Sequence, residues 1–225
     1  MGMKVVLACV LAALEGYLLG SVVFGILISK WMYHDDVRTH GSGSAGMTNM
    51  IRNYGKLAGA LTAIGDVAKG FAAVYVACWL FRTLLPDSAV EPMAGAYIAG
   101  IFAVIGHTKP VWFGFKGGKG VLVGAGVALA TGPLVCAVLV LVFAVEFAIT
   151  RIVSLGSIIV AGLYPIVTVI FWIRHGADLL SLVLIGACSV IMAIMVIWMH
   201  RSNIERLRAG TEYRFGEKKK SSENK

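Results

Sequence analysis

Four stretches of the chain are apolar for twenty residues or more, and they limit the possible folds more than any other feature. They cover residues 5–29, 57–81, 152–173 and 179–199. A helix of about 20 apolar residues crosses a hydrocarbon core about 30 Å thick. Because 58% of the residues are hydrophobic and only 14% are charged, the sequence predicts an all-α polytopic membrane protein.

Two further apolar stretches, 93–106 and 121–150, are shorter or interrupted. The second is broken by Thr131-Gly132-Pro133, so by length alone it fits one crossing or two short ones. Short loops rich in lysine and arginine are usually cytoplasmic. One crossing at 121–150 would put the basic loop 107–119 and the basic C-terminal region on opposite faces, so we predict two.

This count gives seven transmembrane helices, with the N-terminus outside and the C-terminus in the cytoplasm. Residues 30–56, residues 107–119 and Arg151 are then cytoplasmic, and the basic residues left outside are Lys4, Arg82 and Arg174. We expect residues 1–215 to form a single transmembrane domain and 216–225 a disordered basic tail. The net charge of +8 suits an anionic inner leaflet.

The first predicted cytoplasmic loop contains HGSGSAGMTNMIRNYGK, residues 40–56. Glycine permits left-handed backbone and close approach, so a mixture of Gly, Ser and Thr can turn several donors toward one anion. Arg52 lies four residues after Thr48 and shares its face if a helix begins near Met47. A guanidinium at that position binds phosphate oxygens in pairs.

The second loop contains Gly117-Gly118-Lys119-Gly120 directly before an apolar helix. Free N–H groups at the helix start and the Lys119 ammonium together favour phosphate binding. The stretch is not a Walker A loop, because Gly120 follows the lysine and the upstream glycine is missing. An ATPase is therefore disfavoured.

Three further polar pairs have helical spacing. Asp66 and Lys69 lie three apart in an apolar helix, where an unpaired charge is costly, so they are expected to pair with each other or with the loops. His200 and Asn203, and likewise Ser154 and Ser157, lie three apart at the predicted cytoplasmic rim. With the two loops, the two pairs at the rim place four polar clusters at one membrane surface.

The ordered motifs GSGSAGMTNMIR, GDVAKG, GHTKPVWFGFKGGKGV, RIVSLGSI and HRSNIERLRAGTE resemble those of the bacterial acyl-phosphate:glycerol-3-phosphate acyltransferases, the PlsY family. The resemblance runs from Tyr17 to about Glu212. It implies a seven-helix enzyme of the bacterial inner membrane that transfers an acyl chain from acyl phosphate to the 1-hydroxyl of glycerol 3-phosphate, giving lysophosphatidic acid and phosphate in phospholipid synthesis. Ser44 and Met47 depart from the family's usual Asn and Ala, and Lys109, Leu122-Val123 and Val23 also differ.

The resemblance also implies roles for individual residues. Ser42, Thr48 and Lys119 would hold phosphate, together with Gly43, Asn49, Gly117, Gly118 and Gly120. Arg52, His200 and Asn203 would position glycerol 3-phosphate, and His107 would order the second loop or contact substrate. One of Ser154 or Ser157 would face the phosphate site. The partners are the two substrates and the lipid bilayer, with no metal, cofactor or nucleic acid.

The residues themselves favour direct attack by the substrate hydroxyl, because no cysteine or serine has an evident base partner in the sequence. A transporter or channel for phosphate-bearing solutes is the alternative from another class, since basic loops and glycine-broken helices also suit anion passage. A third possibility is a paralogue that binds lipid phosphate without turnover, suggested by Ser44 and Met47.

Overall fold

The computed structural model describes residues 2–86 and 92–216, and over those residues it contains nine α-helices. Of the predicted tail 216–225, residues 217–225 lie outside the described residues. The helices, in chain order, are α1 (Gly2–Gly20), α2 (Phe24–Tyr33), α3 (Met47–Leu84), α4 (Pro92–Thr108), α5 (Val121–Thr131), α6 (Pro133–Thr150), α7 (Val153–Arg174), α8 (Leu179–Met199) and α9 (Arg201–Arg208). Two short 3-10 turns, Val37–Thr39 and Val111–Phe113, lie in the loops.

Five segments among the described residues are long and apolar enough to cross a membrane. They are Gly2–Tyr33, which combines α1 and α2, and helices α3, α6, α7 and α8. Helices α4 and α5 are shorter, with 17 and 11 residues. The split of residues 121–150 into two helices matches the expectation, since α5 ends at Thr131 and Pro133 is the first residue of α6. Seven crossings remain a prediction.

The first apolar stretch differs from the single helix expected over 5–29. It breaks after Gly20, and α2 starts at Phe24. The break frees the Val22 carbonyl from helical bonding, and the buried Lys69 ammonium donates a hydrogen bond to it at 2.7 Å. A buried carbonyl without a partner is costly, so a cation from α3 stabilises the break.

Helix α3 begins ten residues before the apolar stretch 57–81 and contains one irregular residue. Gly55 has φ 90° and ψ 177°, a conformation that is readily accessible only to glycine. The irregularity separates a polar first part, which carries Thr48 and Arg52, from the apolar part that ends at Leu84. The polar part is thus free to take its own direction at the end of the bundle.

Glycines bring the helices close together in the core. Gly16 and Gly20 of α1 lie against the backbone of Ala99 and Ala103 of α4, where any Cβ would collide. Gly126 of α5 packs in the same way against the Val67 carbonyl of α3. Small residues at such positions are typical of membrane helix packing. Helix α4 is central and contacts α1, α3, α5 and α8.

Several helix ends meet at one end of the bundle. These are the starts of α3, α5 and α7 and the junction of α8 with α9, and residues from all of them line one shared cavity. The segments that carry these ends are those whose lysines, arginines and glycines were predicted to share one face. The fold therefore brings four polar segments, far apart in sequence, to the same place.

Candidate active site

A cavity of about 970 Å³ opens among these helix ends and continues between the helices. Its polar lining comes from the loop before α3, the first turns of α3, α5 and α7, and the region from α8 to residue 213. Its apolar lining comes from helix interiors: Leu122, Ala125, Ala128, Cys136, Leu139, Val140, Phe143, Val160, Ala161, Tyr164, Met192, Ala193 and Val196. Ligand pockets for small molecules have volumes of about 300–1,000 Å³, so an amphipathic molecule with a chain fits this size class.

The loop before α3 is organised by Asn49. The Asn49 side chain donates to the carbonyls of Val37, His40 and Ser44 at 3.0–3.2 Å, and its oxygen accepts from the Ser42 N–H at 3.1 Å. Asn49 borders the cavity but its amide is fully engaged with the loop. The Asn49 side chain therefore shapes the loop, and its contact with phosphate stays a prediction.

Thr48 and Arg52 lie on the first turns of α3, and both line the cavity, as the four-residue spacing predicts. The structure records no hydrogen bond or ion pair of the Arg52 guanidinium with any described residue. Its one recorded contact is the Tyr213 ring, whose centroid lies 3.8 Å from Cζ. The N–H donors of Arg52 therefore remain free for a ligand.

Lys119 lies directly before α5 and donates a hydrogen bond to Oδ1 of Asn203. Burial lowers the pKa of Lys119 to about 8; the Glu212 carboxylate opposes this shift, while the Arg206 and Arg52 charges add to it. Burial is the largest of these causes, and the nearby Arg206 and Arg52 charges make the surroundings of Lys119 favourable for an anion. Gly120, in the left-handed region at φ 86°, allows α5 to start at the cavity wall.

Three glycines predicted to bind phosphate lie outside the cavity lining: Gly43, Gly117 and Gly118. The N–H of Gly43 already donates to the His40 carbonyl at 3.0 Å, and that of Gly118 donates to the His107 carbonyl at 3.1 Å. A Cβ on Gly118 would collide with the His107 ring, and one on Gly117 with the His107 carbonyl. Gly117 and Gly118 thus allow the second loop to pack closely against His107. Phosphate binding by the three glycines stays a prediction.

A buried network of polar side chains supports the second loop. Lys69 and Asp66 form the expected ion pair at 2.9 Å, and the Lys69 ammonium lies 2.9 Å from Nδ1 of His107. Because an ammonium only donates, Nδ1 accepts and a neutral His107 carries its proton on Nε2. His107 and Asp66 border the cavity. This network thus links the Lys119 loop to α3 and, through the Val22 carbonyl, to the α1–α2 break.

His200 and Asn203 lie at the junction of α8 and α9 and line the cavity. Nδ1 of His200 is 2.7 Å from the Val196 carbonyl, which can only accept, so Nδ1 carries the proton and Nε2 keeps its lone pair. Burial and the Lys119 charge lower the pKa of His200 to about 4. At neutral pH His200 is therefore an uncharged acceptor.

The chain folds back after α9, and residues 209–216, which we call the C-terminal strap, pass over the cavity. Glu212 on the strap accepts hydrogen bonds at 2.7–2.8 Å from Ser154, Asn203 and Arg206. Burial alone would raise the pKa of Glu212, but these bonds and the Arg206 charge outweigh it and hold the pKa below its ordinary value. This carboxylate partner of Ser154 was not evident from the sequence. A weakly basic carboxylate is a poor activator of a serine hydroxyl.

The sequence did not identify Arg206, Glu212 and Tyr213, which also line the cavity. Arg206 lies three residues after Asn203, so the helical spacing that linked His200 to Asn203 also points to it. Glu212 and Tyr213 lie beyond the last helix and reach the cavity only because the strap folds back. Ser154 and Ser157 both line the cavity, so the structure does not divide them into one that faces it and one that does not.

The model of the glycerol-3-phosphate acyltransferase family matches residues 10–210. The glycerol-3-phosphate acyltransferase of Carboxydothermus hydrogenoformans is 40% identical over 210 residues, which span 93% of this chain and 98% of that protein. The enzyme of that name from Neisseria meningitidis serogroup A is 41% identical over 212 residues, or 92% and 98% of the two chains.

Two solved structures are also similar to this chain. The crystal structure of PlsY (YgiH), an integral membrane glycerol 3-phosphate acyltransferase, in its glycerol 3-phosphate form is 35% identical to this chain with a TM-score of 0.77, over 92% of this chain and 96% of that one. The lysophosphatidic acid form has 34% identity and a TM-score of 0.75, over 92% and 95% of the two chains.

Proposed function

The chain belongs to the glycerol-3-phosphate acyltransferase family and is an integral membrane protein of phospholipid biosynthesis; from this premise we propose that its acyl donor is an acyl phosphate. The acyl chain passes to the 1-hydroxyl of sn-glycerol 3-phosphate, and the products are lysophosphatidic acid and inorganic phosphate. The observation that carries the proposal is one cavity in which Lys119 and Arg52, from separate segments, adjoin an apolar lining between helices.

Acyl phosphate is a mixed anhydride, so the reaction needs no covalent intermediate on the protein. The glycerol hydroxyl oxygen attacks the acyl carbon, a new C–O ester bond forms, and the bond from the acyl carbon to the phosphate oxygen breaks. The hydroxyl proton passes to the phosphate of glycerol 3-phosphate. The protein contributes chiefly by holding two anions in reacting geometry and by stabilising the charge that develops.

Five polar side chains of the cavity have a defined part in this scheme. Lys119, with Ser42, Thr48 and the free N–H groups at the start of α5, holds the phosphate that leaves. Arg52 holds the phosphate of the acceptor. Nε2 of His200 accepts a hydrogen bond from the attacking hydroxyl and orients it, since a pKa of about 4 makes this imidazole too weak a base to keep the proton.

The acyl chain occupies the apolar part of the cavity. The helix interiors of α5, α6, α7 and α8 supply its walls, and the wall residues Ala128, Tyr164 and Met192 are buried. The walls are as apolar as the bilayer from which the chain of the donor comes, so the chain passes from lipid into the cavity with little change in free energy. The reaction then takes place where the apolar walls meet the cationic groups.

We further propose seven crossings of the bacterial inner membrane, with the N-terminus outside and the cavity open to the cytoplasm. Helices α4 and α5 cross despite their length because they pack against neighbouring helices. The test replaces Arg174 with cysteine in the intact cell and treats the cell with a membrane-impermeant thiol reagent. Labelling from outside is expected, and protection of this cysteine until the cell is lysed would reject the orientation.

The function is tested with the purified full-length protein, palmitoyl phosphate and labelled glycerol 3-phosphate, with palmitoyl-CoA as the comparison donor. We expect lysophosphatidic acid and one equivalent of phosphate from palmitoyl phosphate, and no product from palmitoyl-CoA. Turnover with palmitoyl-CoA instead would overturn the proposal that the donor is an acyl phosphate. Uptake of glycerol 3-phosphate by proteoliposomes without any acylated product would favour the transporter.

A further inference from the structure

The ring of Tyr213 lies over the guanidinium of Arg52, with 3.8 Å between Cζ and the ring centroid. Such a distance is well inside the range in which a cation is attracted to the face of an aromatic ring. Tyr213 is in the C-terminal strap and Arg52 is on the first turns of α3, so this contact joins segments 161 positions apart in the chain. Both side chains line the cavity.

Stacking uses the face of a guanidinium and leaves its edge free. The N–H donors of arginine lie in the plane of the group and match two phosphate oxygens side by side. Within the described part of the chain, no carboxylate or carbonyl is recorded as an acceptor for Arg52. Without a neighbour, this long exposed side chain would sample many rotamers, and fixing it would cost binding free energy. The ring of Tyr213 supplies that neighbour and occupies no donor.

The strap holds Tyr213 in place from both sides. On one side Glu212 accepts its three hydrogen bonds, including one of 2.8 Å from Ser154. On the other side the Phe215 N–H donates to the Arg151 carbonyl at 2.7 Å, and the Phe215 ring packs on Phe147 with centroids 5.8 Å apart. The ring that supports Arg52 is therefore part of an anchored segment.

We propose that Tyr213 is a positioning residue for the acceptor substrate: its ring orients the Arg52 guanidinium so that the guanidinium edge binds the phosphate of glycerol 3-phosphate. The inference rests on the proposed function, in which Arg52 holds that phosphate. Tyr213 acts through Arg52 alone, so it affects the acceptor and leaves the use of the donor unchanged. Its hydroxyl, for which no hydrogen bond is recorded among the described residues, is not needed.

The test compares Tyr213→Leu and Tyr213→Phe with the unaltered full-length protein. For Tyr213→Leu we expect the KM for glycerol 3-phosphate to rise about threefold to tenfold, the size of effect that a cation and an aromatic ring produce together. The kcat and the KM for palmitoyl phosphate stay within about twofold, because the attraction of the ring acts on Arg52, and Arg52 holds only the acceptor. Tyr213→Phe keeps the ring and restores the KM for glycerol 3-phosphate.

The matched control is Phe215→Leu, which removes the neighbouring aromatic ring of the strap without touching Arg52. The Phe215 N–H bond to Arg151 and the three hydrogen bonds accepted by Glu212 still anchor the strap in this variant, so we expect its KM for glycerol 3-phosphate to be that of the unaltered protein. An equal rise in Phe215→Leu and Tyr213→Leu would overturn the inference, because anchoring of the strap would then explain both. So would an unchanged KM in Tyr213→Leu, or a failure of Tyr213→Phe to restore it.

Two further measurements keep the outcome decisive. If Tyr213→Leu does not fold, as judged by its elution and thermal unfolding in detergent, Tyr213→Met replaces it and the same expectation holds. Protection against thermal unfolding by glycerol 3-phosphate measures acceptor binding without turnover, and it should weaken in the variant that lacks the ring. If the unaltered protein forms no product from palmitoyl phosphate, the proposed function fails; a normal acceptor affinity in an active Tyr213→Leu variant refutes only the role of Tyr213.

Discussion

At the scale of single residues, the site depends on cations that are only partly neutralised by the protein. The hydrogen bonds of Glu212 go to Ser154, Asn203 and Arg206, while Lys119 bonds to an uncharged amide. The Lys119 ammonium therefore stays available to a phosphate. Because its pKa is about 8, the Lys119 ammonium loses its charge at alkaline pH.

The pH dependence of the reaction follows from this pKa. The ammonium form of Lys119 dominates below pH 8 in the free protein and is lost as the pH rises above it. Because kcat/KM reports ionisations of the free enzyme, we expect it to fall at alkaline pH, to about one tenth of its neutral value near pH 9. In Lys119→Arg the guanidinium stays charged. The activity of this variant, although lower, should therefore not fall over the same pH range. A flat profile in the unaltered protein up to pH 9.5 would contradict the role of the ammonium.

At the scale of elements, helix ends and the close packing of loops position these residues. Helix α5 places Lys119 only because the loop before it lies directly on His107, and His107 in turn contacts Lys69 on α3. A glycine at position 118 is needed for this approach, since any Cβ there meets the His107 ring. The same loop could not pack this closely with a larger residue.

Gly118→Ala should therefore displace Lys119 while leaving the helices intact. A displacement of about 1 Å in a catalytic group lowers the rate up to about a hundredfold, and we expect kcat/KM for both substrates to fall at least about tenfold. The control is Gly162→Ala on α7, where a new Cβ has nothing within 4 Å and activity should stay normal. Both variants are assayed for lysophosphatidic acid and for thermal unfolding; normal turnover by Gly118→Ala would show that the contact with His107 does not position the loop.

At the scale of the whole molecule, charge and hydropathy predicted which segments lie together. The four polar clusters gather at one end of the bundle because the apolar stretches between them have lengths that return the chain to that end. Two features could not be predicted. The break after Gly20 has no proline or polar run to mark it, and its stabilising partner, Lys69, lies on another helix. The strap lies beyond the last helix, and only its fold-back against Ser154 and Arg52 gives it a place in the site.

The sequence also could not distinguish glycines that bind a ligand from glycines that allow close packing of a loop. The direction of a backbone N–H depends on the folded loop, and the N–H groups of Gly43 and Gly118 are used inside the protein. The Asn49 amide is likewise used inside the loop. The side chains predicted at the site, by contrast, all line the cavity: Ser42, Thr48, Asn49, Arg52, His107, Lys119, Ser154, Ser157, His200 and Asn203.

The most direct measurement is the rate of lysophosphatidic acid formation by purified Lys119→Ala from palmitoyl phosphate and glycerol 3-phosphate. Removing one group that stabilises transition-state charge typically costs about 100-fold to 1,000-fold, and we expect a loss of that size with unchanged thermal unfolding. Lys116→Ala is the control, because Lys116 lies in the same loop but does not line the cavity, and it should remain active. A Lys119→Ala protein that works within threefold of the unaltered one would contradict the account of a cationic cavity.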